Sequence, residues 1–154
     1  MSAETEALIQ EIIASHRNMQ GAALPILHAV QEAIGYVPED AIPAIAEALN
    51  VTRAEMHGVV TFYHDFRREP AGRHVLKLCR AEACQSAGGN VISERIRQKL
   101  GIQFGETSPD GRVTLDAVYC LGLCATAPSA MLDGKVIGRI DPERADRIVA
   151  EVNR

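Results

Sequence analysis

His74-Val75-Leu76-Lys77-Leu78-Cys79 is the stretch on which the fold turns. The apolar core of residues 75–78, with its β-branched start, suits a strand, and that strand runs into a cysteine. Downstream, residues 91–100 put Val91, Ile92, Ile96 and Leu100 on one side of a helix that Gly101 stops. Asp110-Gly111 turns into residues 112–119, where Val113, Leu115, Ala117 and Tyr119 alternate with Thr114, Asp116 and Val118. This second strand also runs into a cysteine, Cys120. Residues 130–138 form a hairpin about Asp133-Gly134, a pair suited to a type I′ turn. Residues 142–152 are a last helix, with Pro142 fitting its first position. The order β-α-β-β-β-α argues for a sheet covered by helices.

Upstream of Pro70-Ala71-Gly72, which reads as a linker, the texture is helical. Leu24, Leu27, Val30 and Ile34 recur at three- and four-residue steps, and Gly35 is a stop. Residues 40–49 suit a helix with Asp40 as N-cap and Pro43 tolerated in the first turn. Asn50 ends it. Thr52-Arg53-Ala54-Glu55 matches a capping box, in which hydroxyl and carboxylate each satisfy a free backbone donor. With a further helix over 4–17, residues 1–66 make a bundle of about four helices, followed by a second domain over 67–154. The fold class is therefore α+β.

Composition narrows the function. The 154 residues are 47% hydrophobic and 23% charged, ordinary for a globular chain that needs no staples to fold. The longest apolar run is residues 117–121, far short of the ~18 residues of a membrane helix, so no membrane insertion is expected. Met1-Ser2-Ala3-Glu4-Thr5-Glu6 is acidic where a secretory signal would be basic, which points to the cytoplasm. A net charge of −4 gives no support to nucleic-acid binding. It is unevenly divided: residues 1–66 carry a balance of −7 and residues 67–154 one of +3.

All 4 cysteines lie in the second domain, as Cys79-x4-Cys84 and Cys120-x3-Cys124. Each pair sits where a strand ends and a loop begins, so four sulfurs can converge at one sheet edge. Disulfides are disfavoured without export, and neither pair has the Cys-x-x-Cys spacing of a thioredoxin-type redox motif. Four thiolates suit a structural zinc ion, and equally a [2Fe–2S] cluster with two on each iron. Spacing alone does not choose between them. His16, His28, His57, His64 and His74 all precede the first cysteine, which speaks against a two-histidine cluster. The loops favour a cluster: Cys120-Leu121-Gly122-Leu123-Cys124-Ala125-Thr126-Ala127-Pro128 is apolar and small, and Gly88-Gly89 lets backbone come close.

Gly58-Val59-Val60-Thr61-Phe62-Tyr63, Cys79-x4-Cys84 and Cys120-Leu121-Gly122-Leu123-Cys124-x3-Pro128 together resemble the thioredoxin-like [2Fe–2S] ferredoxin family over about residues 20–150. The resemblance implies a helical N-terminal region, a thioredoxin-like domain and one [2Fe–2S] cluster held by Cys79, Cys84, Cys120 and Cys124. It implies an electron-transfer subunit with no catalytic site of its own, within a larger oxidoreductase complex. The partner expected is an FMN- and NAD-binding flavoprotein subunit. Residues 63–68, 79–86 and 118–126 look most like the gamma subunits of soluble, molybdenum-containing, NAD-dependent formate dehydrogenases. FMN, NAD and the molybdenum cofactor are then expected on partner subunits. The same role in respiratory complex I or an NAD-linked hydrogenase is the alternative. A zinc-stabilised interaction module without redox role is the alternative of another class.

Three further expectations follow. Thioredoxin-like folds commonly carry a cis proline before a hairpin strand, which implies a cis Ala127–Pro128 bond. Phe62, Tyr63 and Phe66, half of the chain's 6 phenylalanines and tyrosines, are expected in the core, with a docking surface as the alternative. The acidic arm, which holds no cysteine, is expected to fasten the ferredoxin domain to its flavoprotein partner.

Overall fold

The computed structural model describes residues 2–154. Contacts divide the chain into two compact units, one running through Pro70 and the other from Ala71 to Arg154.

The first unit is built from four helices: α1 (Ala3–His16), α2 (Ala23–Ile34), α3 (Ala41–Ala48) and α4 (Arg53–Phe62). The Ser2 side chain accepts from the Thr5 amide to start α1, and Glu4 and Glu6 favour the positive end of its dipole. Gly35 ends α2 at φ 92°, a conformation glycine takes without steric cost. Thr52 and Glu55 form the expected capping box at α4. Asp40 departs from expectation. It precedes α3 in right-handed helical geometry, so its side chain is not placed to cap. The core gathers Ile9, Ile13, Ile26, Leu27, Val30, Ile45, Met56 and Val60. Gln31 holds the return of the chain after α4, donating to the Asp65 carbonyl (2.8 Å) and accepting from the Arg67 amide (2.7 Å).

The aromatic expectation is corrected in part. Phe66 is 6% exposed and lies against the His28 ring, with centroids 4.9 Å apart. Burying such a side chain stabilises by roughly 1.5–3 kcal/mol. Phe62 and Tyr63 are not buried: they are 74% and 43% exposed and pack edge-on against each other, and Tyr63 also meets the Phe66 ring edge-on at 6.1 Å.

The second unit is a five-stranded sheet in the order β2-β3-β1-β4-β5, formed by β1 (His74–Cys79), β2 (Glu106–Thr107), β3 (Val113–Val118), β4 (Ala130–Leu132) and β5 (Lys135–Ile137). Helices α5 (Glu82–Ser86), α6 (Gly89–Leu100) and α7 (Pro142–Val152) complete it. The Asp133-Gly134 turn has both residues at positive φ, 48° and 81°, as a type I′ turn requires. Leu76, Leu78, Ile96, Val113, Leu115, Ile140, Ile148 and Val152 are in its core.

Two details differ from the sequence pattern. Val91 is 70% exposed, because the buried face of α6 runs through Ile92, Ser93 and Ile96. Thr114 is buried rather than solvent-facing; its hydroxyl accepts from the Gly72 amide and bonds Thr107. Elements α5 and β2 were absent from the pattern, being too short to show a period.

One feature of the topology sets the site. Strands β1 and β3 are parallel, with Cys79 opposite Val118, so both end at the same edge of the sheet. A parallel pair needs a crossover, here carrying α5 and α6, and the loops after both strands therefore emerge together. Among the described residues, no helix is long and apolar enough to cross a membrane.

Candidate metal centre

Cys79 is the last residue of β1, its amide donating to the Ser129 carbonyl (3.0 Å). The chain then turns so that the Arg80 amide reaches Val118 O (2.8 Å), and α5 carries Cys84 back to the same edge. The Gln85 side chain donates to the Arg80 carbonyl (2.7 Å), clasping the x4 segment closed. Cys84 is 2% exposed, and its sulfur lies 3.4 Å from the hydroxyl of Ser129, itself buried. Gly89 packs under this loop. A Cβ there would stand 2.5 Å from the Cys84 carbonyl oxygen, closer than real side chains come.

The second loop is shaped differently. Cys120 sits at φ 89°, a left-handed conformation that a residue with a Cβ adopts only where its surroundings impose it. The Gly122 amide donates back to the Cys120 sulfur (3.3 Å), and Cys124 opens a 3₁₀ turn over Cys124–Thr126. The Cys120 and Cys124 sulfurs are 3.6 Å apart and both cysteines are exposed. Ala127–Pro128 is cis, as the resemblance implied. Behind the loop, the Arg139 and Ile140 amides donate to Thr126 O (2.6 Å) and Pro128 O (3.1 Å).

The thiols sense one another. Burial pushes the Cys79 thiol up, but donors on its sulfur outweigh it: the Ala81 amide, the Cys84 thiol, and the Cys120 and Leu121 amides. Its pKa falls below the ordinary cysteine value. Amides of the second loop thus favour the thiolate of the first loop, as backbone nests do for anions. Cys124 shifts the other way, raised by its hydrogen bond to Cys120, by charge there, by burial, and by charge on Cys84 and Cys79. Bound cations would remove that repulsion.

The residues fit a thiolate-bound metal group. All four cysteines are free thiols. A tetrahedral ion with metal–sulfur bonds near 2.3 Å spaces its sulfurs by about 3.8 Å, and the Cys120–Cys124 separation is close to that. Soft thiolates with amide donors directed at sulfur suit both zinc and iron–sulfur chemistry. Among the described residues, no three His, Cys, Asp or Glu side chains gather around a single point; the thiols stand as two pairs.

A family model described as thioredoxin-like [2Fe-2S] ferredoxin matches residues 9–153. The chain belongs to that family. Its cofactor is accordingly one [2Fe–2S] cluster, and its role is electron transfer. Among similar proteins is a subunit of the NADH-quinone oxidoreductase of Pseudomonas aeruginosa, 36% identical over 95% of this chain and 89% of that one. The NADP-reducing hydrogenase subunit HndA of Solidesulfovibrio fructosivorans is 32% identical over 93% of this chain and 84% of that one. A crystal structure of an NAD+-reducing [NiFe]-hydrogenase in the H2-reduced state shares the fold, with a TM-score of 0.73 at 24% identity. That match covers 85% of this chain and 22% of the hydrogenase chain.

Two contributors escaped the sequence pattern. Ser129 is brought to Cys84 only because β4 lies beside β1. Gly138 approaches Thr126, where a Cβ would stand 2.6 Å from the hydroxyl, and nothing local in either residue announces the contact.

Proposed function

We propose that Cys79, Cys84, Cys120 and Cys124 hold the [2Fe–2S] cluster, two on each iron, and that the chain passes single electrons beside an FMN- and NAD-binding flavoprotein in an NAD-dependent formate dehydrogenase complex. The supporting observation is two thiol pairs brought to the common end of β1 and β3, one of them already at metal-ligand spacing. When bound, the cluster supplies a one-electron change at iron. The protein's own residues do the rest. The Ala81, Cys120, Leu121 and Gly122 amides donate toward sulfur and stabilise negative charge there. The buried Cys84–Ser129 side excludes water, while the exposed Cys120–Cys124 side is the shorter path to a partner.

The formate dehydrogenase host is supported by the motifs at residues 63–68, 79–86 and 118–126. The names of the relatives favour a second reading, the same role in an NADH-quinone oxidoreductase or a hydrogenase. Protein purified without air should contain about two irons and two labile sulfides and show a reddish-brown spectrum that bleaches on reduction. Stoichiometric zinc without sulfide would sink the cluster assignment. Anaerobic pull-down from the native cell, assayed with formate, hydrogen and quinone, decides the host; no formate-linked NAD reduction in the recovered complex would exclude the first reading.

For the acidic arm, the exposed Phe62–Tyr63 pair is a ready anchor, since aromatics concentrate binding energy at interfaces. Replacing both with alanine in the full chain should leave the colour intact and abolish copurification with the flavin subunit. Unchanged copurification would remove the arm's docking role.

A further inference from the structure

The cluster has a negative charge that grows on reduction, and the segment between Cys79 and Cys84 carries a single arginine, Arg80. Arg80 follows Cys79 directly, so its Cα lies one peptide, about 3.8 Å, from that of a proposed ligand. Its backbone is fixed on both sides, by the Val118 carbonyl and the Gln85 side chain. Its guanidinium lies over the Phe104 ring, 5.1 Å from the centroid, and its Nε is buried without a hydrogen-bond partner. Arg97 approaches the same ring at 5.7 Å, but Arg97 pairs with Glu94 (2.8 Å). Among the described residues no carboxylate pairs with Arg80. A cation is attracted to an aromatic face, which holds the arm in place without cancelling its charge.

We propose that Arg80 is a positioning residue for electron transfer: a permanent positive charge, held on Phe104 within the Cys79–Cys84 loop, that stabilises the reduced cluster and raises its reduction potential. The proposal rests on the [2Fe–2S] reading above. Charge at a half-buried position beside a low-dielectric site is screened less by salt than surface charge.

The bland alternative is that the arm only covers Phe104, since arginine stems bury apolar surface well. Two variants of the full chain separate these roles. Arg80→Met keeps an apolar stem over the ring and removes the charge. Arg80→Lys keeps the charge. Midpoint potentials would be read by EPR-monitored redox titration, with iron and sulfide content measured on each sample. Arg80→Met should lower the reduction equilibrium constant at least threefold, a shift of about 28 mV at 59 mV per tenfold for one electron. Arg80→Lys should shift by less than half of that. Phe104→Leu, which frees the arm, should move the potential the same way as Arg80→Met but less. Cluster loss in Arg80→Met with retention in Arg80→Lys also supports the charge role. An unchanged potential in Arg80→Met overturns it, as does an equal shift, or equal cluster loss, in both Arg80 variants. A wild-type protein without labile sulfide overturns the cluster reading itself, whereas a wild-type cluster indifferent to Arg80→Met overturns only the role of Arg80.

Discussion

The two cysteine loops leave the same sheet edge and are built on opposite principles. The first, Cys79 to Cys84, is closed by regular structure: a strand end, a short helix, a side-chain clasp from Gln85, and a glycine packed beneath. Both of its thiols are buried. The second, Cys120 to Cys124, is held by left-handed backbone at Cys120 and Gly122, and both of its thiols are exposed. A buried ligand pair gives rigidity and a dry environment, and an exposed pair gives access. One loop anchors and the other faces outward.

Substituting the ligands tests this contrast most strongly. Cys84→Ser should abolish the cluster, because a buried hydroxyl in place of the thiolate has little room to adjust and no water to help. Cys124→Ser should retain a fraction with an altered visible spectrum, since the exposed loop can shift to let oxygen ligate. Equal loss in both, measured as sulfide per chain, would erase the distinction between anchor and outward face.

Glycine substitutions come next. Gly89→Ala drives a methyl into the Cys84 carbonyl, and overpacking of this kind typically costs roughly 1–3 kcal/mol. Gly122→Ala meets nothing within 4 Å, so only its left-handed backbone (φ 76°) penalises it, by about 1–2 kcal/mol. Thermal melts should place Gly89→Ala lower, with greater cluster loss. A lower melt for Gly122→Ala would mean that backbone conformation matters more than packing here.

A gentler probe is Ser129→Ala. Its hydroxyl lies 3.4 Å from the Cys84 sulfur and would donate to it once that sulfur is a metal-bound thiolate, and hydrogen bonds to sulfur raise a cluster's potential. The variant should keep its colour and titrate at a more negative potential. No change would show that the hydroxyl points elsewhere.

The smallest effect is expected between α6 and α7, where Asp146 of α7 pairs with Arg95 (2.7 Å) and Lys99 (2.9 Å) of α6. Hydrogen bonds from these two cations hold the Asp146 carboxyl well below the usual carboxylate range, outweighing its partial burial. A depressed folded-state pKa stabilises at pH values above the unfolded carboxylate's ~3.9 and loses that contribution as pH falls toward the folded value. Asp146→Asn should therefore melt slightly below wild type at pH 7, and the gap should start to close only below about pH 4 and vanish as pH approaches the folded-state value. A gap that persists in acid would assign the effect to packing instead.

Much of this architecture was legible because local chemistry dictates it. The capping box at Thr52, the Gly35 and Gly101 stops, the Asp133-Gly134 turn and strand β1 each follow from a few neighbouring residues. The four cysteines could be singled out for the same reason: thiols at two strand ends need no further context to suggest a shared metal. The misses share a cause as well. For Val91, Thr114, Phe62 and Tyr63, residue type and period do not decide burial, which depends on what the rest of the fold covers.

The amino-acid sequence by itself determined the helical arm, the longer strands and helices of the second unit, the family and the candidate ligands, because periodicity, turn chemistry and cysteine spacing act over a few residues. Only the tertiary structure decided that the first pair is buried and the second exposed, that Ser129 meets Cys84, that the Cys120 and Leu121 amides serve the Cys79 sulfur, and that Arg80 rests on Phe104. Each of these joins residues far apart in the chain. They meet because β1 pairs in parallel with β3 and antiparallel with β4, a choice made by burial of the whole sheet rather than by any local signal.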